Sequence, residues 1–254
     1  MHKEPMEICE KAEIFVDSGN DNLEFDHSKL ILRRADGEYF YAMTGRRIFQ
    51  FSQIDVHELD AIRIPSDHIW PLADPTFTRA PEPLPSDCYL KRPSLLYYDD
   101  TSDSHDYTEH ILTEVKACEM LRLRPHPNIA QYLGVVVEDS RIRGICFAKY
   151  SRTLLQMLKD GTPFQRDVVL GGIKAGVQHM HELGLVHNDL QLSNIMMDGD
   201  TPIIIDFDSC KQEGDRLGSK AGNFGRTASG EDFAKRDNDL YSLSEIQRAL
   251  AAET

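Results

Sequence analysis

Apolar positions follow two periods along this chain. Between residues 10 and 64 they come in short β-prone runs at 12–16, 23–25, 29–33, 39–43 and 47–51. Ser18-Gly19-Asn20, Ala35-Asp36-Gly37 and Thr44-Gly45 separate these runs as turn-formers. The pattern predicts strands of an extension sheet. From residue 107 the period lengthens. Ile111, Val115, Cys118 and Leu121 recur at intervals of three and four, predicting an amphipathic helix over 107–123 that ends at Arg124-Pro125. Residues 135–137 and 142–148 predict two strands around the turn Glu138-Asp139-Ser140. A short helix over 153–159 and a longer one over 164–183 follow. Val168, Val169, Ile173, Val177 and Met180 stripe the longer helix, and Gly184 is its expected C-cap. Ile195-Met196-Met197 and Ile203-Ile204-Ile205 flank Asp198-Gly199-Asp200 and read as a hairpin.

One stretch breaks both periods. Residues 65–87 hold six prolines and no glycine. Proline removes backbone donors and disfavours interior strands, so this segment reads as an ordered, extended connector.

The chemistry concentrates in residues 187–208. Asp189 is followed five positions later by Asn194, and Asp206 comes twelve positions after that. The hairpin would carry Asn194 and Asp206 at its two ends. Two oxygen ligands held together beside a third carboxylate suit Mg²⁺ bound to a phosphate chain.

Composition narrows the partners. A net charge of −14 argues against nucleic acid or anionic membrane as a ligand, since both need basic patches. Apolar residues make up 41% of the chain, enough for a globular core. Cys9, Cys88, Cys118, Cys146 and Cys210 form no Cys-x-x-Cys pair and read as reduced thiols. The first ten residues have no apolar signal core, and no run approaches the length of a membrane span. An intracellular protein, cytoplasmic or nuclear, is expected.

His187-Asn188-Asp189-Leu190 with Asn194, then Asp206-Phe207-Asp208, resembles the catalytic loop and magnesium motif of the eukaryotic protein kinases. The resemblance extends over roughly residues 60–250, and His126-Pro127-Asn128 and Asn238-Asp239-Leu240-Tyr241 also carry it. It is similar to small fungal-type kinase-like proteins with a shortened C-lobe. It implies an α+β, bilobal fold with a β-rich N-lobe and a mainly helical, truncated C-lobe. Residues 1–60 would be a strand-rich extension, 61–150 the N-lobe and 151–254 the C-lobe. It implies ATP and Mg²⁺ as cofactors, with Asp189 as the catalytic base and Asn194 and Asp206 as metal ligands. ATP contacts would fall on Lys91, Glu114, Ala148, Lys149, Tyr150 and Met196. Lys91 would be the phosphate-pairing lysine, although an exposed edge-strand lysine is the plainer reading. Glu114 would pair with it, and Glu119 competes for that role. Ala148 would be a small gatekeeper and Lys149-Tyr150-Ser151 the hinge. His187 would be structural, and Asp239 would brace the catalytic loop.

The chain departs from the family pattern at several places. No glycine-rich loop precedes Lys91, so residues 65–87 have a second reading as a substitute nucleotide lid. Tyr89 stands where the family has alanine, on the strand face of Lys91, and would crowd the adenine roof or stack there. Asn188 replaces an arginine that receives a loop phosphate, Gln191 replaces a lysine, and Asp208 replaces the glycine of the metal motif. Thr227 and Ser229 are candidate phosphorylation sites in a glycine-rich segment. Three functions stay open: an ATP- and Mg²⁺-dependent phosphotransferase acting on Ser/Thr of protein, a pseudokinase scaffold, and a small-molecule kinase.

Overall fold

The structure, a computed structural model, describes residues 5–17, 22–48, 54–98, 106–217 and 233–252. Ser18-Gly19-Asn20, Thr227 and Ser229 lie outside these residues. Two compact units divide the chain. One comprises Met1–Pro71 and Pro93–Thr108, the other Leu72–Arg92 and Glu109–Thr254.

The first unit is built on an antiparallel sheet of β1 (Met6–Asp17), β2 (Leu23–Arg34), β3 (Tyr39–Thr44) and β4 (Ile62–Ile64), in that order, and a short helix α1 (Ser66–Ile69) follows β4. The runs at 23–25 and 29–33, expected as separate strands, fuse into β2, because His27 and Ser28 still find ladder partners on β1 and the register slips past Asp26. The run at 47–51 is not a strand as far as Ile48, where its description stops. Leu30, Ile31 and Leu32 are all buried, although strand alternation sends Ile31 to the opposite face from its neighbours. Both faces of the sheet are therefore covered. Leu30 and Leu32 join Ala42 and Ile48 in one core, against which Phe40, Val56 and Leu59 pack. Ile31 lies opposite Tyr41, whose ring is 5.8 Å from that of the buried Tyr98. Lys29 is buried beside them, its ammonium donating to the Tyr98 carbonyl and lying 5.5 Å from the centre of the Tyr41 ring.

The second unit contains a sheet ordered β5 (Cys88–Lys91), β7 (Arg141–Ala148), β6 (Tyr132–Glu138), all antiparallel. Of the connector, residues 78–80 run parallel to β6, with Val135 N donating to Thr78 O at 2.8 Å and Ala80 N to Val135 O at 3.0 Å. Gly134 permits this approach: its φ is +125°, and a Cβ there would stand 2.5 Å from Ala80 N. Glu119, on α2 (Asp106–Leu123), anchors the same segment by accepting from Thr78 N at 2.6 Å and Thr78 Oγ1 at 2.9 Å. The connector reading thus fits this stretch. The lid reading does not, because β6 is the strand farthest from β5 in the sheet.

After β7 come β8 (Arg152–Thr153), α3 (Leu154–Lys159) and α4 (Arg166–Glu182). Thr153 and Gln156 cap α3 reciprocally, a capping box that starts the helix where the sequence expects one. Gly184 follows α4 with φ +75°, as a C-terminal stop requires. Val169, Ile173, Val177 and Met180 are buried along α4, whereas Val168, assigned to the same stripe, is exposed. It lies one residue before Val169 and so about 100° round the helix. The expected hairpin forms as β10 (Ile195–Asp198) and β11 (Thr201–Ile204), one residue earlier than the second apolar run suggests. β9 (Leu185–Val186) pairs with β12 (Lys211–Gln212), and α5 (Arg236–Ala251) is the last helix.

Candidate functional site

All residues of the site belong to the second unit. β5 delivers Lys91, α2 delivers Glu114, and the residue pair after β11 delivers Asp206. Lys91 Nζ lies 2.8 and 2.7 Å from the two Glu114 oxygens and 2.7 Å from Asp206 Oδ1. Glu114 therefore takes the position for which Glu119 competes on sequence; Glu119 is occupied by Thr78 and the Tyr132 hydroxyl. Burial alone would lower the Lys91 ammonium, but the Glu114 and Asp206 carboxylates overcome it and hold the group above its ordinary range. Lys91 is a fixed cation here, not a wandering surface lysine.

Asp206 adopts a left-handed backbone with φ +68°. A non-glycine residue there costs on the order of 1 kcal/mol, so its neighbours must hold it. Lys91 binds its side chain, and Glu114 Oε1 accepts from the next backbone amide, Phe207 N, at 3.3 Å. Phe207 is fully buried, with its ring 5.8 Å from that of His187.

Asn194 ends a 3-10 turn, Leu192–Asn194. Its Nδ2 donates to the Asp189 carbonyl and to Asp189 Oδ2, each at 2.9 Å. The amide nitrogen is thereby committed, leaving Oδ1 as the atom that could hold a cation. Gln191, read from sequence only as a weak substitute for lysine, also donates to the Asp189 carboxylate, at 3.2 and 3.4 Å. Burial raises the Asp189 carboxyl above its usual range; His187 opposes that rise and Asp206 adds to it.

This shift has a stability consequence. A carboxyl whose folded pKa is raised carries no penalty in acid, where it is protonated folded and unfolded, and the full penalty above its folded pKa. Asp189→Asn is therefore expected to raise Tm at about pH 7, with the gain vanishing toward about pH 4. Parallel melting scans across that range check the sign.

Behind the site, His187 is fully buried. Its Nε2 lies 3.0 Å from the Ile205 carbonyl, which can only accept, and its Nδ1 accepts from Asp189 N at 3.3 Å. Asp239 is fully buried and accepts from His187 N and Asn188 N at 2.9 Å each and from His181 Nε2 at 2.8 Å. His181 had no sequence signal beyond its place near the end of a helix.

Lys91, Glu114 and Asp206 line a cleft of about 320 Å³. Tyr89, Ala148, Lys149, Tyr150 and Met196 line it with them, so the expected contact residues converge on one cavity. Ala130, Phe147 and Ile205 also line it and were not anticipated. Tyr89 and Lys91 share the cleft as strand alternation requires, and Tyr89 is 55% exposed. No residue of 72–87 contributes to the lining. Among the described residues no group of three or more His, Cys, Asp or Glu converges as a metal centre. A cation here would rest on Asn194, Asp206 and the oxygens of its ligand, which suits Mg²⁺.

The model of the protein kinase domain matches residues 96–223 of this chain. The chain belongs to the protein kinase family. Its β-rich first part and its later helices are the α+β kinase architecture that the motifs implied. Serine/threonine-protein kinase ppk8 of Schizosaccharomyces pombe is 31% identical over 112 residues, 42% of this chain and 21% of that protein. Serine/threonine-protein kinase SSK22 of Saccharomyces cerevisiae is 27% identical over 161 residues, 61% of this chain and 11% of that protein. The kinase thus spans about a fifth or less of the length of these relatives. A solved structure of the bifunctional kinase-methyltransferase WbdD overlaps 49% of this chain and 28% of its own, at 20% identity and a TM-score of 0.38. No helix among the described residues of this kinase is long and apolar enough to cross a membrane.

Proposed function

We propose that this kinase domain is an ATP- and Mg²⁺-dependent phosphotransferase that moves the γ-phosphoryl group to a hydroxyl, with Ser/Thr of protein as acceptor. The observation that carries the reading is the Lys91 ammonium held between Glu114 and Asp206, all three lining one cleft. Phe147, Ala148 and Met196 give that cleft apolar surface for an adenine ring, and Lys149 and Tyr150 line it beside them, the Lys149 N–H donating to Asp87 O at 3.1 Å. Lys91 would pair with the phosphates. Asn194 and Asp206 would hold Mg²⁺, which when bound neutralises charge on the phosphates. Asp189 would accept a hydrogen bond from the acceptor hydroxyl and take its proton as the oxygen attacks. Its raised pKa suits it to that exchange better than an ordinary carboxylate. No glycine-rich lid contributes backbone donors, so Lys91 and the metal bear the phosphate charge. The reading puts the protein inside the cell, with ATP, and the net charge of −14 argues against nucleic acid as partner.

Thermal shift with ATP tests the site first. Binding to the folded state alone raises Tm by mass action. The expected result is a shift that needs Mg²⁺ and disappears in Asp206→Asn. Asp189→Ala is expected to keep the shift and lose transfer. Undiminished transfer by that variant would remove Asp189 from the reaction.

One observation favours a second reading, a scaffold with little transfer: the Tyr89 side chain is among those that line the cleft. On that reading the phenol is a plug, and Tyr89→Ala tightens ATP binding by about tenfold, measured by calorimetry. Unchanged affinity excludes the plug.

A further inference from the structure

We propose that Asn188 is a positioning residue. Its carboxamide clamps the segment after Asp206-Phe207-Asp208 to the catalytic loop and to α5, so that Asp206 is held in place with no phosphate on the neighbouring loop. The inference deepens the function proposed above and rests on Asp206 as the metal ligand.

Asn188 immediately precedes Asp189 and has φ +64°, a left-handed conformation that asparagine tolerates better than other branched or bulky residues. Its backbone N–H goes to Asp239. Its Nδ2 donates to Val186 O and to Ser209 O, each at 3.1 Å. Its Oδ1 accepts from Asn238 Nδ2 at 2.9 Å. Both amide hydrogens and the amide oxygen are therefore engaged, and by three separate stretches: β9, the residue after Asp208, and the first turn of α5.

The chemistry of the three contacts selects the side chain. Two partners are carbonyl oxygens and need donors; the third is an amide nitrogen and needs an acceptor. A carboxylate cannot donate to Val186 and Ser209. A guanidinium, the group the family pattern has here, cannot accept from Asn238. Where an arginine must wait for a phosphate to complete its contacts, the carboxamide has completed them within the chain. Ser209 lies three residues beyond Asp206, whose left-handed backbone needs support from its surroundings. β12 begins two residues after Ser209 and pairs with β9, so the clamp and the ladder close the same short loop.

The test uses the full chain, ATP and Mg²⁺. Calorimetry measures ATP affinity with and without Mg²⁺, at a temperature where each protein is folded. A general loss of stability does not move the ratio of these two affinities. Asn188→Ala and Asn238→Ala, which break the same bond from opposite sides, are each expected to lower that ratio by about fivefold or more, while metal-free affinity is kept. An unchanged ratio in both variants overturns the proposal.

Hydrogen exchange reads the clamp without any ligand. Amides of residues 207–212 should exchange about tenfold faster or more in both variants, with those of α4 unaffected. Unaltered rates over 207–212 overturn the proposal. Phosphatase treatment of the parent should leave the ratio unchanged, and a fall of about fivefold would show that a phosphate controls the segment after all. If the parent shows no metal-dependent ATP binding, the phosphotransferase reading fails, and hydrogen exchange alone then decides the clamp.

Discussion

Lys91→Met is expected to lose phosphoryl transfer by about 10³-fold and to destabilise the fold by about 3 kcal/mol. The two losses have different origins. Transfer falls because the ammonium that would meet the phosphates is gone. Stability falls because Glu114 is only 3% exposed and would lose the ammonium that balances its charge, keeping only the Phe207 amide. Asp206 would also lose the contact that holds its left-handed backbone. A second substitution separates these effects. Lys91→Met with Glu114→Leu removes the stranded charge and should regain most of the lost stability, while transfer stays absent. Urea unfolding and a transfer assay on the two variants read both quantities. If Lys91→Met is as stable as the parent, the ion pair does not organise the site.

The second large effect is expected at Asp239, which takes no part in the chemistry. Asp239→Ala leaves His187 N, Asn188 N and His181 Nε2 without their acceptor in a fully buried place. Each orphaned donor costs about 1–3 kcal/mol, so a total near 4 kcal/mol and a fall in Tm of about 10 °C are expected. Asp239→Asn keeps one acceptor oxygen and should lose about half as much. Differential scanning calorimetry ranks the three proteins. A Tm unchanged in Asp239→Ala would mean that the catalytic loop is braced elsewhere. Because Asp239 holds the two backbone amides that precede Asp189, the alanine variant should also lose order in that loop before the rest of the unit melts.

Much of this was legible in the chain. α2 and α4 follow stripes of three and four because a helix must bury one face, and Ile111, Val115, Cys118 and Leu121 are indeed buried. The hairpin of β10 and β11 is announced by its Asp-Gly-Asp turn between two apolar runs. The spacing of Asp189, Asn194 and Asp206 was likewise open to reading, since a short loop and a hairpin bring them together whatever surrounds them. Other features had no local signal. β8, β9 and β12 are two residues each, too short to carry any period, and exist only because a partner strand passes by. The connector reads as extended from its prolines, but nothing in it names β6 as its neighbour.

The choice between Glu114 and Glu119 shows where the boundary lies. Both sit on one helix, and helical geometry alone allows either to be the partner of Lys91. The fold brings the ammonium of Lys91 on β5 to Glu114 on α2, 23 positions away, and turns Glu119 toward Thr78. Asn188 is similar: the sequence marks the loss of an arginine, and only the meeting of β9, Ser209 and α5 gives the amide its three partners. Local sequence determined which chemical groups the site has and where the helices and hairpin run, because periodicity and turn chemistry act over a few residues. The tertiary structure decided which groups pair. Hydrogen bonds and ion pairs act over about 3 Å, and here they join residues as much as 115 positions apart.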